Sequence, residues 1–257
     1  MKNILKNILL LNKKEGETPL EALDAFRNKN KKYKDEKMTY AGRLDPMASG
    51  LLLVLSGEET KNKEKYLKLD KEYEFEILFG FATDTYDILG KVNNSHRSDL
   101  WGKGELEKKI KDNLKYFRGK FVQEYPIYSS KTVAGKQLFE YAREDLEVEL
   151  PSREVFVKKL QFIKLRKINN KKLLENIEKR IKKVNGDFRQ EEIVKIWRKV
   201  LIHEQGLSLL MIASLKIKCG SGTYVRGIAN SLGEKMGIPA LAFSIKRTKV
   251  GKWTQVR

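Results

Sequence analysis

Asp45 is the residue whose setting most strongly suggests chemistry. It lies in a loop, residues 42–50, that begins and ends with glycine. A carboxylate held in such a loop can stabilise positive charge that develops on a reacting group. Asp45 also precedes Pro46, and most Asp-Pro pairs only form turns, so a structural role is the alternative.

Two other residues are candidates for a binding site. Arg226 follows the Gly220-Ser221-Gly222 turn near the predicted start of a helix, where anions are stabilised, although a structural arginine fits as well. Tyr73 lies in a strand-like segment, where a tyrosine more often belongs to the core or the sheet surface. The glycine turn lacks the third glycine and the lysine of nucleotide-binding loops, which excludes those motifs.

The charge of the chain is compatible with a polyanionic partner. Its 257 residues include 53 Lys and Arg against 34 Asp and Glu, a formal net charge of +19. Binding of nucleic acid releases condensed counterions, which favours such a basic protein. A lysine-rich genome would raise the charge of every protein it encodes, so charge alone leaves both interpretations open.

Composition also bears on cofactors and compartment. Cys219 is the only cysteine, which excludes an intrachain disulfide and indicates a reducing compartment. Because His96 and His203 are the only histidines, we expect no transition-metal site. The apolar segment 8–11 is far too short to span a bilayer and lacks a small-residue cleavage site. These features predict a soluble cytoplasmic protein.

Apolar spacing predicts the elements that must position these residues. Helical spacing marks residues 18–26, 106–117 and 224–232, and strand-like segments include 51–55, 73–79, 155–157, 215–219 and 243–247. Strands and helices are mixed without a regular βαβ repeat. The sequence therefore predicts an α+β fold with a largely antiparallel sheet.

Residues 166–206 predict a helical hairpin with a basic exterior. Two apolar stripes follow helical spacing there, separated near Gly186. The segment holds 12 Lys and Arg against 6 Asp and Glu, about twice the positive excess that an even spread of the charge would give.

Several short motifs occur in a characteristic order. They are Leu9-Leu10-Leu11-Asn12-Lys13 with Gly16-Glu17-Thr18, Gly42-Arg43-Leu44-Asp45-Pro46 through Gly50, Lys71-Glu72-Tyr73, Gly80-Phe81-Ala82-Thr83-Asp84-Thr85-Tyr86-Asp87 with Gly90, Pro126-Ile127-Tyr128-Ser129-Ser130-Lys131 with Gly135 and Ala142-Arg143, Gly222-Thr223-Tyr224-Val225-Arg226 with Leu232-Gly233, and Arg247-Thr248 with Gly251. The ordered set closely resembles the bacterial TruB family of tRNA pseudouridine synthases. One such block could arise by chance, but the whole set in the right order does not.

The resemblance implies a pseudouridine synthase fold, with helices flanking a mainly antiparallel sheet and a central RNA cleft. It implies an isomerase that converts uridine 55 in the T-loop of tRNA to pseudouridine without a cofactor. The bond between uracil N1 and ribose C1′ breaks, the base turns, and C5 joins C1′. The uridine must leave its loop, so base flipping is implied.

The family's functional residues match positions in this chain. By resemblance, Asp45 is the catalytic aspartate, which either adds to C1′ or abstracts a sugar proton, and Arg226 pairs with it. Tyr73 matches the aromatic residue that stacks on the flipped base, and its hydroxyl could handle the C5 proton. Tyr224 and Ile245 match positions that line the uracil pocket.

The chain also departs from the family pattern. Tyr40 replaces a histidine that helps to open the RNA loop, so only the stacking part of that role carries over. Lys14 and Tyr125 replace expected prolines, and Ile245 stands where leucine is usual.

The resemblance further implies one catalytic domain over residues 1–257, with 166–206 as a helical insertion. Because the chain ends soon after the last motif, we expect no C-terminal RNA-binding PUA domain. We hypothesise that the basic hairpin supplies RNA contacts which that domain would have made. The alternative is a stabilising insertion with solvated charges.

Two other functions are compatible with the sequence. A non-catalytic RNA-binding protein that helps tRNA to fold could share the fold, although it has no need of Asp45, Tyr73 and Arg226 together. A synthase that modifies another structured RNA would keep the chemistry. The expected partner is the T-arm stem-loop of tRNA, with no protein partner and no membrane, and the family implies a monomer.

Overall fold

Strands and helices are mixed along the part of the chain that the computed structural model describes, residues 7–96, 102–203 and 209–254. The strands are β1 (Ile8–Lys13), β2 (Met38–Tyr40), β3 (Ala48–Ser56), β4 (Lys71–Phe79), β5 (Phe81–Thr83), β6 (Val92–Ser95), β7 (Gly119–Glu124), β8 (Thr132–Val133), β9 (Lys136–Gln137), β10 (Ser152–Ile168), β11 (Leu210–Cys219), β12 (Ala240–Val250) and β13 (Trp253–Thr254). The α-helices are α1 (Pro19–Lys29), α2 (Lys63–Leu67), α3 (Lys103–Asn113), α4 (Leu138–Arg143), α5 (Asn170–Ile181), α6 (Gln190–His203) and α7 (Val225–Met236).

A single large sheet organises the fold. Within the described ranges, nine strands form it in the order β1-β3-β12-β4-β11-β10-β7, with β2 paired to β3 and β13 to β12. Neighbouring strands run antiparallel except β12 and β3, which run parallel. The arrangement confirms the predicted α+β fold with a mainly antiparallel sheet.

Helices cover both faces of the sheet. On one face, α3 and α7 bury Ile110 and Ile228 in the same core as Ile77 of β4. On the other face, α5 and α6 bury Ile177 and Trp197 with β-strand residues from β4, β11 and β12. The helical hairpin therefore contributes to a hydrophobic core, whatever its basic surface does.

Strand β10 is longer than the sequence suggests. It runs for 17 residues and pairs with β11 as far as Ile168, so residues 166–168 are strand and not the start of the helical hairpin. Helix α5 begins only after Asn169, whose side chain accepts a hydrogen bond from the Lys172 amide at 2.8 Å. Residues 204–206, the predicted end of the hairpin, lie outside the described residues.

A β-bulge in β12 separates residues that alternate in the sequence. Ala242 lies opposite Ile77 of β4 and Ser244 lies opposite Glu76, so Phe243 is an extra residue. Phe243 consequently packs in the core with the hairpin, whereas Ile245 faces the core with α7. The bulge turns Ile245 toward the face that carries the candidate site.

The parallel pairing of β3 with β12 requires a glycine. Gly50 has a φ of +106°, and a Cβ added to it would lie 2.2 Å from the Arg247 carbonyl oxygen. No L side chain fits such an approach without backbone movement. Gly50 thus lets the end of the Asp45 loop lie directly against β12.

We expect Trp197→Ala to show that the hairpin belongs to the core. The Trp197 ring is fully buried, lies edge-to-face with Phe81 at 5.3 Å, and donates a hydrogen bond to the Ile88 carbonyl at 3.3 Å. Its loss should lower the free energy of unfolding by about 3–5 kcal/mol in urea titrations. Ile202→Ala, at an exposed position on the same helix, is the control and should change it by less than about 0.5 kcal/mol. Equal effects would contradict a core role.

Candidate active site

An aspartate–arginine ion pair lies where the loop before β3 meets the first turn of α7. Arg226 Nε donates to Asp45 Oδ2 at 2.8 Å, although the two residues are 181 positions apart. The Arg226 side chain is 3% exposed and the Asp45 side chain is 38% exposed. The carboxylate is therefore held from the protein side and open to a ligand from the other.

The two other nitrogens of the Arg226 guanidinium also form hydrogen bonds. Nη1 donates to the Thr85 carbonyl at 2.9 Å, and Nη2 donates to the Tyr128 carbonyl at 2.8 Å. Burial opposes the charge of Arg226, but the carboxylates of Asp45 and Asp87 outweigh that effect and raise its pKa above the ordinary value. A planar guanidinium with three fixed acceptors orients the Asp45 carboxylate as well as balancing its charge.

Lys13, at the end of β1, forms a hydrogen bond to the backbone of the loop that carries Asp45. It is fully buried, and its ammonium donates to the carbonyls of Lys14 at 2.9 Å and Pro46 at 3.4 Å. Burial lowers its pKa to about 8. In the sequence Lys13 ends the opening motif of the family resemblance, but its contact with the residue after Asp45 depends on the fold.

One cavity brings together five of the six residues predicted for the site. It has a volume of about 250 Å³, and its lining includes Asp45, Tyr73, Tyr224, Arg226 and Ile245. The sheet makes this possible, because β12 lies between β3 and β4. Ile245 is consequently paired with Ala48 of the Asp45 loop on one side and with Phe75 of β4 on the other.

Arg247 connects the floor of this cavity to the aspartate loop. It is 1% exposed and donates to the carbonyls of Leu51 at 2.8 Å, Gly42 at 3.2 Å and Arg43 at 3.3 Å. Burial raises the pKa of Tyr73, and the charge of the neighbouring Arg247 acts in the opposite direction. The tyrosine hydroxyl therefore lies beside a fixed cation.

The first cavity is strongly basic. Among the described residues that line it, Asp45 is the single acid, and the cations are Arg43, Lys71, Arg153, Arg226 and Arg247. Burial, and then the charge of Arg247, lower the pKa of Lys71 to about 8. Gly222 makes room for this cluster, since a Cβ there would meet Arg153 Nη1 at 1.9 Å. Such a lining suits a polyanionic ligand.

Tyr40 lies outside the first cavity, in a second one that adjoins it. The second cavity has a volume of about 430 Å³ and also reaches Asp45 and Arg226. Its walls include Tyr128, and Phe188 and Arg189 from the turn between α5 and α6. The structure thus places Tyr40 in a cavity that Asp45 also lines but not among the residues around Tyr73, and it brings the hairpin turn to the same cavity.

Asp87 is a second carboxyl beside Arg226, and in the sequence it lies in a family motif that assigns it no role. It is 7% exposed and accepts hydrogen bonds from Thr85 Oγ1 and the Leu89 amide, both at 2.9 Å. Burial raises its pKa to about 6, Arg226 lowers it, and Asp45 raises it further. Its position in the Thr83–Asp87 stretch gave no sign of this burial.

The stability of the protein should therefore depend on Asp87 between about pH 4 and pH 7. In that window the native state keeps a proton that the unfolded chain, with an ordinary aspartate near pH 4, has lost. Stability from this group is present below pH 4 and is lost as pH rises through about 6. The wild type should lose up to about 3 kcal/mol relative to Asp87→Asn over this range, measured by urea denaturation at pH 4, 5.5 and 7. A pH-independent difference between the two proteins would contradict the raised pKa.

Two further features concern classes of site. Across residues 7–96, 102–203 and 209–254, no cluster of three or more His, Cys, Asp or Glu side chains is arranged to hold a metal ion. No helix in those ranges has the length and apolar character needed to cross a bilayer.

Comparison with known proteins identifies the family to which the chain is similar. Residues 30–188 match the model of the TruB family pseudouridylate synthase N-terminal domain. A tRNA pseudouridine synthase B of Caldanaerobacter subterraneus subsp. tengcongensis is 34% identical over 95% of this chain and 68% of the relative. That of Endomicrobium trichonymphae is 33% identical over 96% of this chain and 86% of the relative.

Solved structures share the fold at lower identity. A chain in the crystal structure of a Cbf5–Nop10–Gar1 complex superposes with a TM-score of 0.56 at 18% identity, over 97% of this chain and 50% of that one. A chain from an H/ACA RNP bound to a substrate RNA containing 2′-deoxyuridine gives 0.53 at 18% identity, over 97% and 49%. These likenesses concern the path of the backbone.

Proposed function

The chain belongs to the TruB family of pseudouridylate synthases, and from that premise we propose that it isomerises uridine 55 in the T-loop of tRNA to pseudouridine. The observation that carries the proposal is the Asp45–Arg226 pair, held at 2.8 Å on the wall of a basic cavity that also contains Tyr73. The relatives named tRNA pseudouridine synthase B align over nearly the whole chain, which supports tRNA as the substrate.

The reaction is centred on the carboxylate of Asp45. When the N1–C1′ bond breaks, the bonding electrons leave with uracil and positive charge develops at C1′. An ionised carboxylate at that carbon stabilises the charge. Addition to C1′ and abstraction of a ribose proton are both open to Asp45, and both use the charged form that Arg226 accompanies. The freed base turns, C5 bonds to C1′, the C5 proton leaves, and N1 takes up a proton.

The cavity walls hold the base during this rearrangement. The target uridine is flipped out of its loop, and the ring of Tyr73 stacks on it. Base–aromatic stacking contributes roughly 1–3 kcal/mol, which offsets much of the cost of unstacking. Tyr224 and Ile245 complete the uracil pocket, and the Tyr73 hydroxyl takes part in removal of the C5 proton. Their shared cavity with Asp45 and the nearby Arg247 support these roles.

The second cavity continues the binding surface beyond the flipped uridine. Tyr40 on its wall stacks against the T-arm in the position of the family's histidine. The sheet and its two helical layers act as a single catalytic domain, without a cofactor. The same proposal places a monomeric enzyme in the cytoplasm, where tRNA is modified.

The test is pseudouridine formation on an unmodified tRNA transcript, with the modified position mapped by a chemical reaction specific for pseudouridine. Product at position 55 supports the enzyme and its target together. Product at another position, or only on a structured RNA other than tRNA, would replace the target and keep the chemistry. Tight tRNA binding without any product would favour a tRNA-folding protein and overturn the proposal.

A further inference from the structure

The turn between α5 and α6 is built to present one arginine to the active-site region. Gly186 and Arg189 both adopt left-handed backbone conformations, with φ values of +80° and +63°. Gln190 Nε2 donates to the Gly186 carbonyl at 2.7 Å, and the Arg189 amide donates to Asp187 Oδ1 at 3.1 Å. Since φ > 0 is uncommon for a residue with a side chain, this turn holds Arg189 in a defined orientation.

The same turn is anchored to the body of the protein on two other sides. Arg180, at the end of α5, forms a two-nitrogen salt bridge with Glu15, with its Nη2 at 2.7 Å from Oε2 and its Nε at 3.0 Å from Oε1. Arg143 Nη2 donates to the Asp187 carbonyl at 2.7 Å. The turn is therefore a fixed support and not a free loop end.

Arg189 reaches two segments at once. Its Nη1 lies 2.7 Å from Asp84 Oδ2, and its guanidinium carbon lies 4.3 Å from the centre of the Tyr128 ring. Burial, and then the charge of Asp84, raise the pKa of the nearby Tyr128 hydroxyl. The Arg189 and Asp84 side chains are only 20% and 23% exposed, so solvent weakens this pairing less than at an open surface.

These are the two segments that orient Arg226. Thr85 follows Asp84 directly, and its carbonyl accepts from Arg226 Nη1. Tyr128 contributes its carbonyl to Arg226 Nη2 and its ring to Arg189. Arg226 therefore ties the two segments together from the Asp45 side, and Arg189 ties them together from the hairpin side.

We propose that Arg189 is a positioning residue for the isomerisation, acting through Asp84 and Tyr128 on the orientation of the Arg226–Asp45 pair. The inference rests on the proposed function. It gives the helical insertion a task at the active site that is separate from its place in the core and from any charge it offers to RNA. Catalytic geometry is sensitive, because a misplacement of about 1 Å far from the reacting atoms can cost about 100-fold in rate.

The experiment compares Arg189→Ala with Arg198→Ala at saturating tRNA under single-turnover conditions. Arg198 is the matched control, because it lies on the same hairpin, is 58% exposed, and pairs with Glu178 instead of the active-site segments. Arg189→Ala should lower the single-turnover rate by about 10- to 100-fold with little change in the Kd for tRNA. Arg198→Ala should keep the wild-type rate.

Two more variants separate positioning from charge. Arg189→Lys keeps the charge but loses the planar fork and the stacking on Tyr128, so it should recover only part of the rate. Asp84→Asn combined with Arg189→Ala should cost little more than either change alone, because both break the same contact.

Distinct results would overturn the inference. The first is a wild-type single-turnover rate for Arg189→Ala when the wild-type enzyme is active. The second is an unchanged rate combined with weaker tRNA binding and a shallower salt dependence of the Kd, which would indicate that Arg189 contacts a phosphate directly. Amide hydrogen exchange in residues 84–87 and 126–130 should rise in Arg189→Ala and not in Arg198→Ala. Unchanged exchange would refute the contact even if the wild type formed no pseudouridine, whereas absent wild-type product would refute the proposed function.

Discussion

Asp45→Asn is expected to abolish pseudouridine formation while tRNA binding persists. Asparagine keeps the size of the side chain and can still accept from Arg226 Nε, but it carries no negative charge to stabilise C1′ and cannot act as nucleophile or base. Removal of one electrostatic group from an active site costs about 10²–10³-fold in kcat, and a group that also reacts covalently costs more. We expect a loss of at least about 10³-fold.

The measurement is the single-turnover rate on an unmodified tRNA transcript, with the Kd for tRNA determined in parallel. Asp112→Asn is the control, because it makes the same chemical change at an exposed carboxylate that pairs with Lys108 on α3. The control should match the wild type in both quantities. Residual activity of Asp45→Asn within 10-fold of the control would contradict the assignment of Asp45.

The outline of the fold could be predicted where burial and spacing agree. Strand β4 is an example, since Phe75 and Ile77 face the core while Glu74 and Glu76 face away, and this gives a clear alternation. Strand β10 could not be bounded in this way. Two irregularities in its register with β11 interrupt the alternation of buried and exposed residues. The sequence pattern therefore assigns the charged end of the strand, from Arg166 onward, to the helical segment that follows.

Which strands pair with each other could not be predicted from the sequence. Nothing in residues 48–50 or 245–247 shows that these segments run parallel side by side. The bulge at Phe243 could not be predicted either, because strict alternation along a strand would place Phe243 and Ile245 on the same face. Only the folded sheet shows that they belong to opposite cores.

The family that the ordered motifs predicted is confirmed, and the roles of the six site residues stay predictions. The six residues came from matching positions, whereas the supports around them depend on contacts across the fold. Asp87 and Lys13 are buried polar groups that no local pattern distinguishes from exposed ones. Arg189 lies in the segment that differs most from the family pattern, so resemblance could assign it no role.

The position of the hairpin also limits how its function can be tested. Deleting it would remove Trp197 and uncover Leu78 and Ile212 of the same core, so loss of activity after deletion would report unfolding as much as lost RNA contacts. Single substitutions on its exposed face and at its turn separate these effects. Surface charges that contact phosphate should change the salt dependence of binding, and Arg189 should change the rate.

Arg226→Gln should impair both stability and catalysis. It removes the donors to Thr85 and Tyr128 and leaves Asp45 and the buried Asp87 without their shared cation. Breaking a buried ion pair costs about 3–5 kcal/mol, and the low end applies because Asp45 keeps contact with solvent. The single-turnover rate should fall at least about 100-fold, because the carboxylate loses its fixed orientation.

Arg226→Lys distinguishes orientation from charge. A lysine restores one positive charge, but its single nitrogen cannot occupy the separate positions of Nε, Nη1 and Nη2, which donate to Asp45, Thr85 and Tyr128. We therefore expect it to recover part of the lost stability and little of the rate. Arg166→Gln is the control, because it breaks a two-nitrogen arginine–carboxylate pair with Glu76 outside both cavities. Full activity in Arg226→Lys would mean that Arg226 supplies charge alone, and the positioning argument for Arg189 would then lose the residue through which it acts.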